Sequence, residues 1–365
     1  MLLARRNLFR DRPRLLLSVL AVGVSIGLIL LLAGYRSGVY AQASAYLANT
    51  PGSVIVAERG IRDFLGTSSA LPSGAEEAVR RVPGVERVTP VVSQFVIFER
   101  HGRKDGFFLI GYDPAKGGGP WKLASGREPA ADDELVVDRT AAGQHDIVIG
   151  DTLDVLDRTM TVVGLSDDTT FWAGSIAFAR ITTSESLLRA PGLQSFLVVT
   201  PTQGTSPEAL RDRLVVPETE VLLKSDVIAN DRKLMARVYD APIGLMVAIA
   251  FVVGVLVVGL VIYTATIERR REYGAIKAIG ARNRALYRVV TAQALIAAVA
   301  GAIAGVALAY GAGAVLMSWR PQFRVVIEPA AVGVVLGASL LMALLAALIP
   351  ARAIARLEPA EVFRG

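Results

Sequence analysis

The chain has 365 residues, 53% hydrophobic and 20% charged, with a mean hydropathy of +0.47 and a net charge of +6. That is too apolar for an ordinary soluble protein of this size and too charged for one immersed in lipid throughout, so a mixed architecture follows. Cysteine is absent, which excludes disulfide staples and thiol nucleophiles.

Arg5, Arg6, Arg10, Arg12 and Arg14 lead into an apolar run over 15–35, followed closely only by Arg36. Roughly 20 residues at about 1.5 Å each cross a hydrocarbon core of about 30 Å, so the run predicts a transmembrane helix. The basic bias places the N-terminus in the cytoplasm, with residues 1–40 as the N-terminus and transmembrane helix 1. A cleaved signal peptide competes, because Ala41, Ala43 and Ala45 follow in an A-x-A manner. Its apolar core would be typically about 7–15 residues, and this run is nearer twenty.

Residues 41–225 change to short β-branched runs separated by Gly, Pro, Asp and Ser, the pattern of an α+β domain. Strands are predicted at 54–57, 91–98, 107–111, 135–137, 153–156, 160–163 and 196–199, with Asp157 and Arg158 as a tight hairpin turn. Helices are predicted at 74–81 and 207–214, with Ser73 and Ser206 as capping candidates. The interval 126–179 is almost all strand-like and reads as a β subdomain inserted into the larger domain.

In residues 226–241 the apolar Val227, Leu234, Met235 and Val238 fall at helical spacing, with Asp226, Asp231, Arg232, Lys233 and Arg237 largely elsewhere. This predicts an amphipathic stalk running into transmembrane helix 2 at 242–266; an ordinary surface helix would give the same pattern. A charged loop follows at 267–288, then transmembrane helix 3 at 289–317, a short outer loop at 318–329, transmembrane helix 4 at 330–349 and a tail at 350–365. Arg269, Arg270, Arg271, Lys277, Arg282, Arg284 and Arg288 in the loop, with Arg352, Arg356 and Arg364 in the tail, agree with the N-terminal bias. Both termini are then cytoplasmic, and 41–240 faces outward from a multi-pass protein of the cell membrane.

Within the charged loop, Ile267, Tyr273, Ile276 and Ile279 can form an apolar strip while Glu268, Arg269, Arg270, Glu272 and Lys277 remain polar. A short surface helix results, with Gly280 placed to end it. A positive-inside loop with snorkelling side chains accounts for the same charges. Gly23 with Gly27, Gly301 with Gly305, and Gly333 with Gly337 recur at four-residue spacing, which lets helix backbones approach closely in lipid. Packing within one chain and a dimer seam both use such pairs.

No acidic or basic residue lies inside a predicted span, which argues against ion-coupled transport. Most of the relevant Arg sits beside membrane ends, where topology and anionic lipid rather than nucleic acid account for it. His101 and His145 are the only histidines and neither stands in a metal-ligand spacing. Asp132 with Asp133 and Asp167 with Asp168 read as solvated turn residues. None of the six lysines stands in a G-x-x-x-x-G-K-[ST] loop, so the chain is expected to supply no ATPase of its own, and no catalytic, cofactor or metal site is expected in it.

Three separated blocks, ARRNLFRDRPRLLLSVLAVGVSIG, IERRREYGAIKAIGARNRALYRVVTAQALI and ALLAALIPARAIARLEPAEVFRG, resemble the FtsX-like, MacB-type permease subunits of ABC transporters. The loop resembles that family's E-R-R-x-E-x-G-x-x-(K/R)-A-x-G-A pattern, and the end its P-A-R-x-A-x-x-x-P-x-x-x-(L/F)-R tail. VPGVERVTPVV, FFLIGYDP, ELVVDRTAA, IGDTLDV and TVVGL resemble its extracytoplasmic core in the same order, so the likeness covers essentially the whole chain. The opening and the FFLIGYDP region look more like the smaller exporters of the heterocyst-glycolipid and haem-efflux type than like lipoprotein extractors.

The resemblance implies four transmembrane helices with an α+β extracytoplasmic domain between helices 1 and 2, and a homodimer above two separate ABC ATPase subunits that bind ATP and Mg. It implies that Glu268, Arg269, Arg270, Glu272, Tyr273, Gly274, Ile276, Lys277 and Gly280 form the coupling helix on the ATPase. Pro350, Arg352 and Arg356 form the tail contact. Membrane lipid, and a membrane-fusion adaptor or other extracytoplasmic protein, are the further expected partners. The expected activity is mechanotransmission that exports or extracts an amphiphile. The alternative is a signalling lever that controls a partner such as a cell-wall hydrolase.

Overall fold

The computed structural model describes residues 12–171, 174–268, 270–279 and 283–355. Four apolar helices flank an α+β domain that lies between the first and second of them in sequence. The chain separates into a helical unit of Met1–Gly38, Tyr239–Arg320 and Val325–Gly365, and a β unit of Val39–Val238 with Pro321–Arg324.

In chain order the helices are α1 (Arg12–Asn49), α2 (Ala75–Arg80), α3 (Arg139–Gln144), α4 (Ile181–Leu187), α5 (Pro207–Arg213), α6 (Lys224–Glu268), α7 (Arg270–Ala278), α8 (Asn283–Trp319) and α9 (Pro329–Ala355). Several run further than the apolar stretches that predicted them. α1 continues past residue 40 to Asn49, and the stalk and transmembrane helix 2 form one helix, α6. Its 45 residues extend about 67 Å at ~1.5 Å each, more than twice a hydrocarbon core. Only the charge-free part from Ala241 onward suits lipid; Lys224 to Asp240 is rich in charge. Pro242 removes one helical hydrogen bond without ending α6, and Pro350 does the same in α9, which passes the expected end at Ile349.

The helical unit is held by Val22, Ile26 and Leu30 of α1, Val258 of α6, Val290 and Ala298 of α8, and Met342 and Ala343 of α9. Alanine is the commonest residue of this core, which suits helices in lipid, where close backbone packing has to supply the attraction.

The β unit contains β1 (Val54–Glu58), β2 (Val85–Arg100), β3 (Arg103–Tyr112), β4 (Leu123–Gly126), β5 (Glu134–Asp138), β6 (Thr152–Val155), β7 (Arg158–Ser166), β8 (Thr170–Phe171), β9 (Gly174–Arg180), β10 (Phe196–Pro201) and β11 (Thr219–Leu223). The main path is β11-β1-β10-β2-β3-β9-β5-β7-β4. β6 pairs with both β7 and β2, so β2, β3, β9, β5, β7 and β6 close into a ring. The segment expected as an inserted subdomain at 126–179 therefore does not make a domain by itself. It completes a six-stranded barrel by borrowing the β2–β3 hairpin.

Period-two alternation sorts the side chains. Phe107 and Leu109 of β3, Leu135 and Val137 of β5, and Ala177 and Ala179 of β9 fill the barrel. Their neighbours Phe108, Ile110, Val136, Ile176 and Phe178 face a second core shared with Tyr46, Leu47, Phe64 and Val227. A third core places Val54, Val56, Leu197 and Val199 under Val79 of α2 and Leu210 of α5.

Local details differ from the sequence reading. The β6–β7 turn is Leu156–Asp157, both at positive φ (46° and 68°), rather than Asp157–Arg158, because Val155 pairs with Arg158. α2 is capped by Gly74 at φ 82°, not by Ser73. Ser206 caps α5 as expected, accepting from the Ala209 amide at 3.2 Å. The helices α3 and α4 went unpredicted; Asp138 caps α3 by accepting from the Thr140 and Ala141 amides at 2.9 and 3.2 Å.

Candidate functional site

The charged loop folds into α7, whose acidic Glu272 lies in the first turn and basic Lys277 in the last, each complementing the helix dipole. Glu268, Arg271 and Glu272 are exposed, Lys277 is half-buried and Gly274 is buried. α7 therefore exposes Arg271 and Glu272 and buries Gly274. The expected apolar strip is divided: Ile267 belongs to the end of α6, and Ile279 lies in the turn after α7, 87% exposed. Arg270, Tyr273 and Ile276 lie in α7. Arg269, Gly280 and Arg356 fall outside the described residues. Pro350 is buried within α9, and Arg352 is exposed in its last turn.

In the helical unit the glycine pairs meet within one chain. A Cβ on Gly23 would lie 3.3 Å from the Gly301 carbonyl oxygen, and one on Gly27 would lie 3.2 Å from that of Gly305. Gly333 and Gly337 are exposed, with nothing within 4 Å of an added Cβ. An apolar groove of about 330 Å³ lies between α6 and α9, lined by Leu256, Gly259, Leu260 and Tyr263 with Leu345.

In the β unit, the end of α1 and the beginning of α6 are pinned to the sheet. The Tyr46 ring stacks on Phe64 at 5.1 Å between centroids and lies 6.4 Å from Trp121, and its hydroxyl donates to the Gly118 carbonyl at 2.9 Å. Lys224 Nζ donates to the Thr50 carbonyl at 2.9 Å, while its backbone amide donates to the Ser53 carbonyl at 2.8 Å. Burial draws the Lys224 pKa below its ordinary value. Replacing Lys224 by Met is expected to leave the Thr50 carbonyl without this donor and to destabilise the β unit by about 1 kcal/mol. Thermal unfolding of the full chain in detergent measures this.

Asp231 departs most from its expected place. The stalk pattern put it with the charged residues on the polar side, yet it is wholly buried. Its Oδ1 accepts from the amides of Phe64 and Leu65 at 2.9 and 3.1 Å, and its Oδ2 has no partner. Burial pushes its pKa up to about 7, with the Asp63 charge adding to the rise and the two amides opposing it. The signal was present in the spacing: Asp231 stands four residues after Val227 and four before Met235, both buried. Residues 227, 231 and 235 share one helical face.

The short loop after α8 also contributes. Gln42 Nε2 donates to the Gln322 carbonyl at 3.0 Å, and Gln144 Nε2 donates to Gln322 Oε1 at 2.8 Å. Nothing in the sequence marked Gln322, since a polar loop residue carries no periodic signal. His145 Nε2 lies 2.8 Å from Asp105 Oδ2 on β3, while His101 stands at the β2–β3 turn with φ 49°.

Two known families match successive parts of the chain. The MacB-like periplasmic core domain family matches residues 15–215, and the FtsX-like permease C-terminal family matches residues 244–359. Two uncharacterized ABC transporter permeases of Mycobacterium tuberculosis are similar over 366 residues at 27% and 25% identity, each match covering 99% of both chains. The macrolide export ATP-binding/permease protein MacB of Shewanella oneidensis is 29% identical over 139 residues, which is 38% of this chain and 21% of its own. The crystal structure of the periplasmic region of MacB from Actinobacillus actinomycetemcomitans aligns over 50% of this chain and 94% of its own, with a TM-score of 0.38 and 13% identity.

Proposed function

Because the chain belongs to the MacB-like, FtsX-like family of ABC transporter permeases, we propose that it is the membrane subunit of an exporter driven by mechanotransmission. α6 carries this reading. It runs as one helix from Lys224, which follows β11, to Glu268, beside α7. A rod of backbone hydrogen bonds passes a displacement at one end to the other with little loss.

ATP binding and hydrolysis belong to a separate ABC ATPase, two copies of which serve two copies of this chain. The ATPase engages α7 through Glu272, Gly274 and Lys277, with Arg352 of α9 beside it. The basic residues support a cytoplasmic side for α7 and both termini and an outer side of the inner membrane for the β unit, where an adaptor or another extracytoplasmic protein can meet it. The substrate is amphiphilic and lipid-like. The apolar groove between α6 and α9 supports this.

Glu272→Lys, Lys277→Glu and Gly274→Trp are expected to insert normally and to bind the ATPase poorly or unproductively. Losing about 1.4 kcal/mol of coupling lowers transport per ATP about tenfold. The test uses the chain purified in mild detergent with whatever ATPase accompanies it, native mass spectrometry for a 2:2 assembly, and ATPase assays with added lipids. Transport and assembly unchanged in all three variants would remove α7 from the coupling role. ATPase activity indifferent to every amphiphile, together with capture of a cell-wall hydrolase, would replace export by control of that hydrolase.

A further inference from the structure

Asp231 is a buried carboxyl without a counter-ion, placed where α6 meets the loop of residues 59–68. Two adjacent amides of that loop, Phe64 and Leu65, converge on its Oδ1. Asn230, next to it, donates through Nδ2 to the Arg62 carbonyl at 2.9 Å. The loop is thus fastened to α6 by three hydrogen bonds, two of them to one carboxyl oxygen, while the other oxygen of that carboxyl sits in the apolar core unpartnered.

The neighbouring ionisable groups are engaged elsewhere. From the loop, Arg62 pairs with Glu220 of β11 at 2.6 Å, and Asp63 accepts from the Gly66 amide at 2.7 Å. On α6, Lys224 donates to Thr50, Arg232 to Ser44 of α1 at 3.2 Å, and Lys233 reaches Asn230. Tyr46 of α1 gives its hydroxyl to Gly118. Asp63 is the charge that acts on Asp231 through space, and it has the same sign. Among the described residues no cation pairs with Asp231.

We propose that Asp231 is a proton-operated latch: protonated, it holds the loop of residues 59–68 on α6, and ionised, it releases that loop to admit water to the carboxylate. The loop also roofs a cavity of about 140 Å³ that Phe64, Gly66 and Ser68 form with Gln94, Phe95 and Phe108 of the sheet. Release uncovers this cavity and frees one side of α6. The sign follows from linkage. Burial raises the closed-state pKa above that of the open loop, so acid favours closure, and the closed fraction falls as pH rises towards the closed value of about 7.

The latch is independent of whether the chain exports a substrate, and its test needs neither ATP nor cargo. Hydrogen exchange of the full chain in lipid nanodiscs is followed by mass spectrometry at Phe64 and Leu65, with intrinsic rates corrected for pH. Protection in the native chain is expected to fall about tenfold or more from about pH 5 to 8, since each unit changes the linked equilibrium by up to about tenfold. In Asp231→Asn, which keeps the acceptor oxygen and cannot ionise, the profile is expected to be flat. Protection independent of pH in the native chain, or the same pH dependence in Asp231→Asn, overturns the latch. Infrared titration of the native chain gives a readout that needs no variant. A protonated buried carboxyl persisting to near neutrality supports the latch, and titration of every Asp in the ordinary carboxylate range overturns it.

Discussion

Gly305→Ala is expected to destabilise the helical unit by about 2 kcal/mol or more, whereas Gly333→Ala and Gly337→Ala leave it unchanged or slightly firmer. At Gly305 the new methyl would lie 2.8 Å from the Gly23 carbonyl oxygen and 2.8 Å from Ile26 Cβ, contacts that a real Cβ does not make. The obstacle is backbone and a β-branched side chain, neither of which can rotate away, so α1 and α8 must separate. Overpacking of this kind costs about 1–3 kcal/mol, and separation forfeits the dispersion contacts along the seam as well. Gly301→Ala meets Val22 in the same way, with the Val19 carbonyl oxygen 3.1 Å away. At Gly333 and Gly337 the methyl enters open space, and Ala is the better helix former by about 1 kcal/mol. Thermal unfolding of the four variants in one detergent separates the two pairs. Equal behaviour of all four would mean that α1 and α8 do not meet at these glycines.

The same glycines mark how far the sequence could be read. Four-residue spacing identified all three pairs, but spacing is a property of one helix, and the seam depends on which helix lies opposite. α1 and α8 supply Gly23, Gly27, Gly301 and Gly305 to one another, while α9 presents Gly333 and Gly337 to the surface. The four apolar helices were legible because runs of twenty uncharged residues have few other fates in water. The strands were legible where alternation was strong, as at Val54–Glu58 and Arg103–Tyr112. Barrel closure was not, because it rests on Phe98 pairing with Val155 and Glu99 with Asp154, contacts more than fifty residues apart that no local pattern encodes. Asp231 was misplaced for a different reason. Charge argues for solvent in general, and here burial favours the neutral carboxyl, while the backbone amides of Phe64 and Leu65 give its oxygen partners.

Tyr46→Ala is expected to cost the β unit about 3–5 kcal/mol, the range for removing a large aromatic side chain from a core. Tyr46 is 3% exposed, and its ring is one member of a chain of aromatic contacts through Phe64, Phe108, Phe196, Trp121 and Phe178. Tyr46→Phe keeps the ring and loses only the bond to the Gly118 carbonyl, so it should cost about 1 kcal/mol. Trp121 fluorescence in a chain carrying Trp172→Phe and Trp319→Phe reports the difference during denaturant unfolding, because Trp121 packs directly against Tyr46. The comparison also tests what the ring does for the helix that carries it. Tyr46 lies in the last turns of α1, and stacking on Phe64 places it against the loop that Asp231 holds from α6. If the ring is the anchor, Tyr46→Ala loosens the Phe64–Leu65 amides and raises their exchange at every pH, whereas Tyr46→Phe leaves their protection intact. Equal exchange in both variants would assign the anchoring of α1 to the Thr50–Lys224 bond instead.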